Sequence, residues 1–235
     1  MKTAALALAL ASLTLAACGG DDGGGGSADA RVTNRADART GGSIDSGGGG
    51  ACTTSTNAFG DIGAIPTANG DIAINPQDPT QYLITVAQQL EAAEPTDFLL
   101  LQLYSGFGVF TGGVVAGSHN LTGAEADYVT CGACARLITD VTMQAAGDDY
   151  MANAGTLNIT AAADAVGETL TFTLSNVTFR HVDFTVDGMM NVTAQNDNAS
   201  GCTTTISNAS FTGALAAAQL RSDVPASVLL RRDRF

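Results

Sequence analysis

Glu168-Thr-Leu-Thr-Phe-Thr-Leu-Ser-Asn-Val-Thr-Phe-Arg-His-Val-Asp-Phe-Thr-Val186 is the longest strand signal in the chain, and its reading decides the fold class. Leu170, Phe172 and Leu174 alternate with threonine, so they share one face of a half-buried strand. The phase then changes. Val177 and Phe179 take the other parity, and Val182, Phe184 and Val186 return to the first. A slip of one residue turns every following side chain over. The breaks at Ser175-Asn176 and Arg180-His181 therefore predict β-bulges, or a hairpin turn at one of them.

The residues around this stretch use the same alphabet. From Cys52 to Gly213 the chain is rich in Thr, Val, Ile, Leu and Phe, with Gly or Asn punctuation every ten residues or so. That spacing predicts one all-β domain over 52–213, an antiparallel β-sandwich of jelly-roll type. Asp97–Tyr104 reads as a buried strand, followed by strands at Ala135–Met143, Gly155–Thr160 and Cys202–Thr212. Tyr82–Ala93 holds good helix formers but opens on the β-branched alternation of Ile84 and Val86, so it reads as a strand leading into a turn at Glu94-Pro95. Ala214–Arg221 is a candidate short helix within a loosely held tail, 214–235.

The N-terminus has a different logic. Lys2 precedes a short Ala/Leu core that ends in Leu15-Ala16-Ala17-Cys18. A core of about a dozen residues is too short to span a bilayer as a helix, and this order of charge, apolar core and small residues marks an export signal. Leu-Ala-Ala-Cys resembles the lipobox of bacterial lipoproteins. That resemblance implies cleavage after residue 17, a diacylglycerol on Cys18, and a lipid anchor of two chains. By the sorting rule of such lipoproteins, Gly19 after the cysteine implies the outer membrane. Residues 18–51 then read as the lipidated cysteine and a disordered tether, with runs of Gly, scattered Asp and Arg, and almost nothing to bury. A flexible coil of that length spans about 30 Å.

Without residues 1–17 the chain keeps nine arginines, no lysine and 23 acids, a formal charge of 9 − 23 = −14. Nucleic acid is excluded as a partner, because phosphate binding needs clustered cations. The basic tail Arg231, Arg232 and Arg234 is too small to change that.

Four cysteines remain beyond Cys18: Cys52, Cys131, Cys134 and Cys202. In an exported chain an even number reads as two disulfides. The small Gly132-Ala133 favours a local Cys131–Cys134 bridge, which leaves Cys52–Cys202 as the long one; crossed pairings of Cys52 with either member of the CxxC stay open. A redox dithiol would need a helix after Cys131-Gly-Ala-Cys134 to lower the thiol pKa, whereas Ala-Arg-Leu-Ile-Thr-Asp-Val-Thr is a strand pattern. A zinc site would need a second paired CxxC.

Tyr128-Val-Thr-Cys131-Gly-Ala-Cys134-Ala-Arg-Leu resembles a motif found in a group of uncharacterised bacterial cell-envelope lipoproteins. The likeness extends from Asp97–Phe110, through Ala154–Leu157 and Leu174–Thr178, to Gly201-Cys202, about half of the mature chain. It implies fold and location and carries no activity.

No catalytic residue, metal ligand or cofactor is assigned. His119 and His181 are the only histidines, and no Gly-x-Ser-x-Gly, His-Glu-x-x-His or phosphate-binding loop is present. Asp61, Asn69, Asp71, Asn75 and Asp78 form one oxygen-rich loop region and Asn196-Asp197-Asn198 another, yet neither has EF-hand spacing, so turn chemistry is the better account. Six Asn-x-Ser/Thr sequons suit an Asn- and Thr-rich β chain and imply nothing further in a bacterial lipoprotein. The sequence thus points to a lipid-anchored structural or interaction module of the cell envelope, contacting the bilayer through Cys18 and an envelope or extracellular partner it does not identify. A glycan- or calcium-binding module is the alternative and a hydrolase the third reading.

Overall fold

The computed structural model describes residues 58–92, 95–142, 147–188 and 191–218. All lie in one compact unit. The expected export signal, Cys18, the tether, Cys52 and the basic tail fall outside the described residues. The strands are β1 (Ala58–Ile65), β2 (Gly70–Ile74), β3 (Tyr82–Gln89), β4 (Thr96–Tyr104), β5 (Gly117–Asn120), β6 (Ala133–Val141), β7 (Asp148–Ala161), β8 (Thr169–Val186), β9 (Val192–Asp197), β10 (Thr203–Ala214) and β11 (Ala216–Ala217). Helical structure among the described residues is confined to three single 3-10 turns, Thr67–Asn69, Gly108–Phe110 and Gly123–Ala126. None is long and apolar enough to cross a membrane.

The protein is all-β, as expected, but its strands form one connected mixed sheet. Hydrogen bonds link β1-β10-β8-β7-β6-β4-β3-β2-β11 in that order, with β5 added to β7 and β9 to β8. The two ends of this path are the same two stretches of chain. Only Pro66–Asn69 separates β1 from β2, and only Leu215 separates β10 from β11. β1 pairs parallel with β10, and β2 parallel with β11. The ladder therefore returns on itself, which leaves short stretches such as β1, β5 and β9, each paired on one side, as the edges to protect among the described strands. The expected pair of separate sheets is replaced by this curled ring. Its closure depends on a parallel pairing between segments far apart in sequence, which local turn signals do not encode.

The inner face of the ring is one apolar core. Ile65, Ile72, Ile84, Leu101, Leu137, Leu157, Phe172 and Phe211 each bring a different strand into it, and Phe172 stacks on Phe211 with ring centroids 5.7 Å apart. Side chains fill the interior, as in other small closed sheets.

β8 shows what the phase changes mean. At the first break Asn176 has φ 51°, a left-handed conformation that Asn tolerates better than most residues. The β7–β8 register slips twice beside it, between Ala152 and Ala154 and between Ala154 and Thr156. That bulge lets Leu174 and Val177 both face the core. The second break is different. The register with β7 runs unbroken from Asp149↔Val182 to Ala152↔Phe179, so β8 itself does not slip. Its neighbour loops out instead: His181 N–H donates to Cys202 O and His181 O accepts Asn198 N–H, with 199–201 between. Beyond this point Val182 and Phe184 pack into a second cluster with Leu83, Tyr104, Tyr128 and Met151, whereas Phe179 belongs to the inner core. The break is a change of covered face, and a bulge in β8 at Arg180-His181 is not formed.

Gly155 makes the first bulge possible. Its φ is 113°, and a Cβ there would lie 2.6 Å from Val177 Cα and 2.8 Å from Asn176 O. We expect Gly155→Ala to cost about 2–4 kcal/mol, because backbone must move as well as twist. Gly167→Ala, also at positive φ (+88°) but with nothing within 4 Å, is the control. It should cost about 1–2 kcal/mol from strain alone. Urea midpoints of the two variants check this, and equal losses would show that the close approach is unimportant.

Tyr82–Gln89 is a strand, as the β-branched alternation predicts. The candidate helix at Ala214–Arg221 is not formed over its first residues. Ala214 ends β10, Leu215 is buried, and Ala216-Ala217 pair with Asp71-Ile72. Burial of Leu215 and the β2 ladder outweigh alanine's helix propensity; residues 219–221 lie outside the described part.

Candidate functional site

The Cys131-Gly-Ala-Cys134 motif forms a local disulfide with Cα atoms 5.4 Å apart. Both cysteines are fully buried, and β6 begins at Ala133, between them. The bond thus leads into a strand, without the helix N-terminus that redox activation would need. Glu125 holds the turn from outside. Its buried carboxylate accepts Val109 N–H (2.9 Å) on one oxygen, and Gly132 N–H (2.8 Å) and Ala133 N–H (2.6 Å) on the other. Gly132 has no room for a side chain, since a Cβ would meet Phe107 O at 2.3 Å. The motif is an interlocked clasp. Cys202 is also disulfide-bonded; its expected partner Cys52 lies outside the described residues.

Beside the clasp, on the outer face of the sheet, β6 carries Arg136 with its side chain fully buried. The guanidinium is ion-paired with Asp149 on β7 and lies 5.1 Å from the Tyr128 ring centroid and 5.0 Å from that of Phe184. Tyr128 O–H donates to Gln102 Oε1 (2.6 Å) and lies 2.9 Å from the Tyr104 hydroxyl. Burial works against the charge, but Asp149, Tyr128 and Tyr104 together outweigh it and keep the guanidinium pKa raised. Enclosed on every side, this group is a keystone that fixes the 123–131 segment and the β8–β9 hairpin against the sheet.

The polar groups that reach one end of the inner core form the candidate site. Asp97 at the start of β4 is 7 % exposed, Thr139 near the end of β6 is fully buried, and Tyr150 near the start of β7 is 2 % exposed. Thr139 pairs with Asp148, and Tyr150 with His181. The Tyr150 and His181 rings stack at 4.8 Å and 18°. His181 Nδ1 lies 2.9 Å from Ser200 Oγ, and its Nε2 lies 3.9 Å from Asp148 Oδ1. Asp97 Oδ1 accepts Asp140 N–H (2.8 Å), and Asp97 N–H donates to Glu91 Oε2 (2.9 Å). Burial, then the charges of Glu91 and Asp140, push the Asp97 carboxyl up to about 8 against the lowering effect of that N–H bond. The Tyr150 phenol is pushed up to about 12 by burial and by Asp148, Asp140 and Asp97.

Ser200, His181 and Asp148 make a Ser-His-Asp line that no sequence motif announced, but the line is incomplete as acyl-transfer machinery. At 3.9 Å the Asp148 contact exceeds hydrogen-bond distance. Ser200 N–H donates to Asn198 Oδ1 and Gly201 N–H to Asn198 O, so the backbone donors next to the hydroxyl are committed elsewhere.

The other sequence candidates are not brought together. His119 packs edge-on to Phe110 at 4.8 Å, with Nε2 3.2 Å from Val115 O. Asp61 Oδ1 accepts from Asn208 Nδ2 and Gly63 N–H, which hold its carboxyl below the usual range. Asn75 caps Gln77 N–H, and Asp78 caps Thr80. Asp197 pairs with Arg180, and Asn198 donates to Asp183 Oδ1. These are turn and ladder contacts, and among the described residues no three His, Cys, Asp or Glu side chains converge as metal ligands. In comparison with known proteins, no family model, curated protein or solved structure matches the chain. Sequence reasoning missed Arg136, Glu125 and Asp97. The available signal was one of charge inside a strand or in the turn before the CxxC, and it carries no information about burial.

Proposed function

We propose that the protein is a lipid-anchored, disulfide-braced β module of the bacterial cell envelope, acting in structure or interaction. The observation that carries this reading is Leu15-Ala16-Ala17-Cys18 followed by a Gly-rich run and then an all-β unit. A diacylglyceryl cysteine would hold the unit at a membrane, and the interior of the described part is filled by apolar side chains. Outer-membrane placement follows from Gly19 in the same scheme. Intact-mass measurement of the protein extracted from envelopes is expected to find a chain beginning at Cys18 and carrying acyl groups, with acylation lost in Cys18→Ser. An unmodified N-terminus elsewhere would refute the anchor.

The Ser200–His181–Asp148 line is the one observation that favours hydrolysis. Turnover of a p-nitrophenyl ester that disappears in Ser200→Ala would establish that second reading, and turnover unaffected by the substitution, or none at all, would remove it.

A further inference from the structure

We propose that the polar end of the inner core binds a small organic cation, an alkylammonium ion whose N–H groups are received by Thr139 Oγ1 and by the Asp97 and Asp148 carboxylates. Thr139 is the residue that calls for a ligand. It is fully buried, and its Oγ1 has no hydrogen-bond partner in the structure. Buried polar atoms are nearly always paired, so an orphaned hydroxyl asks for a reason. The strand register aims it at acids. Leu137 and Tyr150 are paired and both face the inner core, so Thr139 and its partner Asp148, two residues along each strand, face the same way. On the other side of β6, Leu99 faces the core and Asp97 stands two residues before it. The Asp97 carboxyl reaches the Thr139–Asp140 peptide, accepting Asp140 N–H at 2.8 Å. Thr139 Oγ1 therefore lies between carboxylates of two neighbouring strands, and Glu91, which accepts Asp97 N–H at 2.9 Å, brings a third close by.

Charge and size choose the ligand. Arg136 pairs with Asp149 and Arg180 with Asp197, and beyond Lys2 the chain has no lysine to turn toward these acids. An anion is disfavoured beside so many carboxylates. A metal ion is disfavoured too, since among the described residues no three acidic, His or Cys side chains converge on one point. An ammonium group carries three donors and no acceptor, which suits a hydroxyl oxygen set between carboxylates that stand apart. Tyr150, with His181 stacked on one side of its ring, walls the same end and can add a cation–π contact. Exposure falls inward, from 37 % for the Asp148 side chain and 11 % for His181 at the rim to 7 % for Asp97 and none for Thr139. That grading gives a way in from solvent and admits only a small ion. Without a cation, burial and the charges of Glu91 and Asp140 favour the protonated form of Asp97; a bound ammonium offsets both and releases that proton. The site depends on neither the lipid anchor nor ester hydrolysis.

The test uses the full-length protein at pH 7, propylammonium chloride as the probe and amide chemical shifts as the readout. Saturable shifts are expected at Asp97, Thr139, Asp140 and Asp148, half-complete at about 1 mM, a realistic affinity for so few atoms. Sodium chloride at equal concentration and 1-propanol, the neutral analogue, should produce none. Thr139→Val keeps the shape and removes the hydroxyl, and Asp97→Asn removes a charge; each should raise the half-saturation point by about tenfold or more, the worth of a hydrogen bond to a charged group. Asp164→Asn, in the β7–β8 connection at the far end of β7, should bind like the wild type. The urea midpoint of Thr139→Val should not fall, because the hydroxyl it loses is unpartnered; a fall would show the hydroxyl to be satisfied within the fold and overturn the site. The wild type alone decides where a variant does not fold. No saturable response, the mark of a buried water on Thr139, overturns the proposal. So does an equal response to 1-propanol, or a saturating response to calcium chloride at lower concentration, which would assign a metal ion instead.

Discussion

Arg136→Ala is expected to destabilise the chain by about 3–5 kcal/mol, the range for breaking a buried ion pair by removing one partner. Two losses combine. Asp149, with only 19 % of its side chain exposed, is left without the cation it pairs with. The Tyr128 and Phe184 rings, each about 5 Å from the guanidinium, lose the group between them. Arg136→Met combined with Asp149→Leu separates the charge from the volume. It removes both charges and fills the space, so it should recover most of the loss, since apolar replacements of buried pairs are often neutral or stabilising. Urea-unfolding midpoints of the three proteins measure this. A loss below about 1 kcal/mol in Arg136→Ala, the range of an exposed pair, would show that the guanidinium is not a keystone.

Glu125→Ala carries the second large effect. Its carboxylate is the acceptor for three backbone N–H groups, from Val109, Gly132 and Ala133. A buried donor left unsatisfied costs about 1–3 kcal/mol, and some water will reach the space, so a total of about 3–5 kcal/mol is expected. Glu125→Gln separates charge from shape. It keeps one carbonyl oxygen but turns an NH₂ group toward an N–H donor, and should lose about 2–3 kcal/mol. The clasp supplies a second readout. With Gly132 no longer held, the buried Cys131–Cys134 bond becomes accessible, and its reduction by dithiothreitol should be faster in Glu125→Ala than in the wild type at equal fraction folded. Unchanged reduction together with unchanged stability would show that the three bonds are incidental.

Part of this architecture can be read directly along the chain. Alternation at Leu170–Leu174, the apolar run of β4 and the Ile84/Val86 pattern of β3 all name strands, because a strand's periodicity is a local property of its own side chains. The first phase break locates the Asn176 bulge for the same reason. A CxxC separated by two small residues and followed by a strand pattern already favours a bridge over a redox helix, and that bridge is present.

What periodicity leaves open is where the cover lies. The second break in β8 looks identical in sequence to the first, yet here the strand continues in register and a different cluster receives Val182 and Phe184. Closure of the sheet is likewise absent from any local pattern, since it is made by β1 and β2 lying parallel to β10 and β11, nearly the whole domain apart. Charges inside strands are ambiguous for a related reason. Arg136, Asp97 and Arg180 are equally polar as letters, but one is enclosed by two rings and a carboxylate, one lies buried among acids, and one is partly exposed beside Asp197. Secondary structure follows from side chains that neighbour one another in sequence. Burial, and with it the charge state and role of each polar group, follows from neighbours that only long-range strand pairing brings into contact.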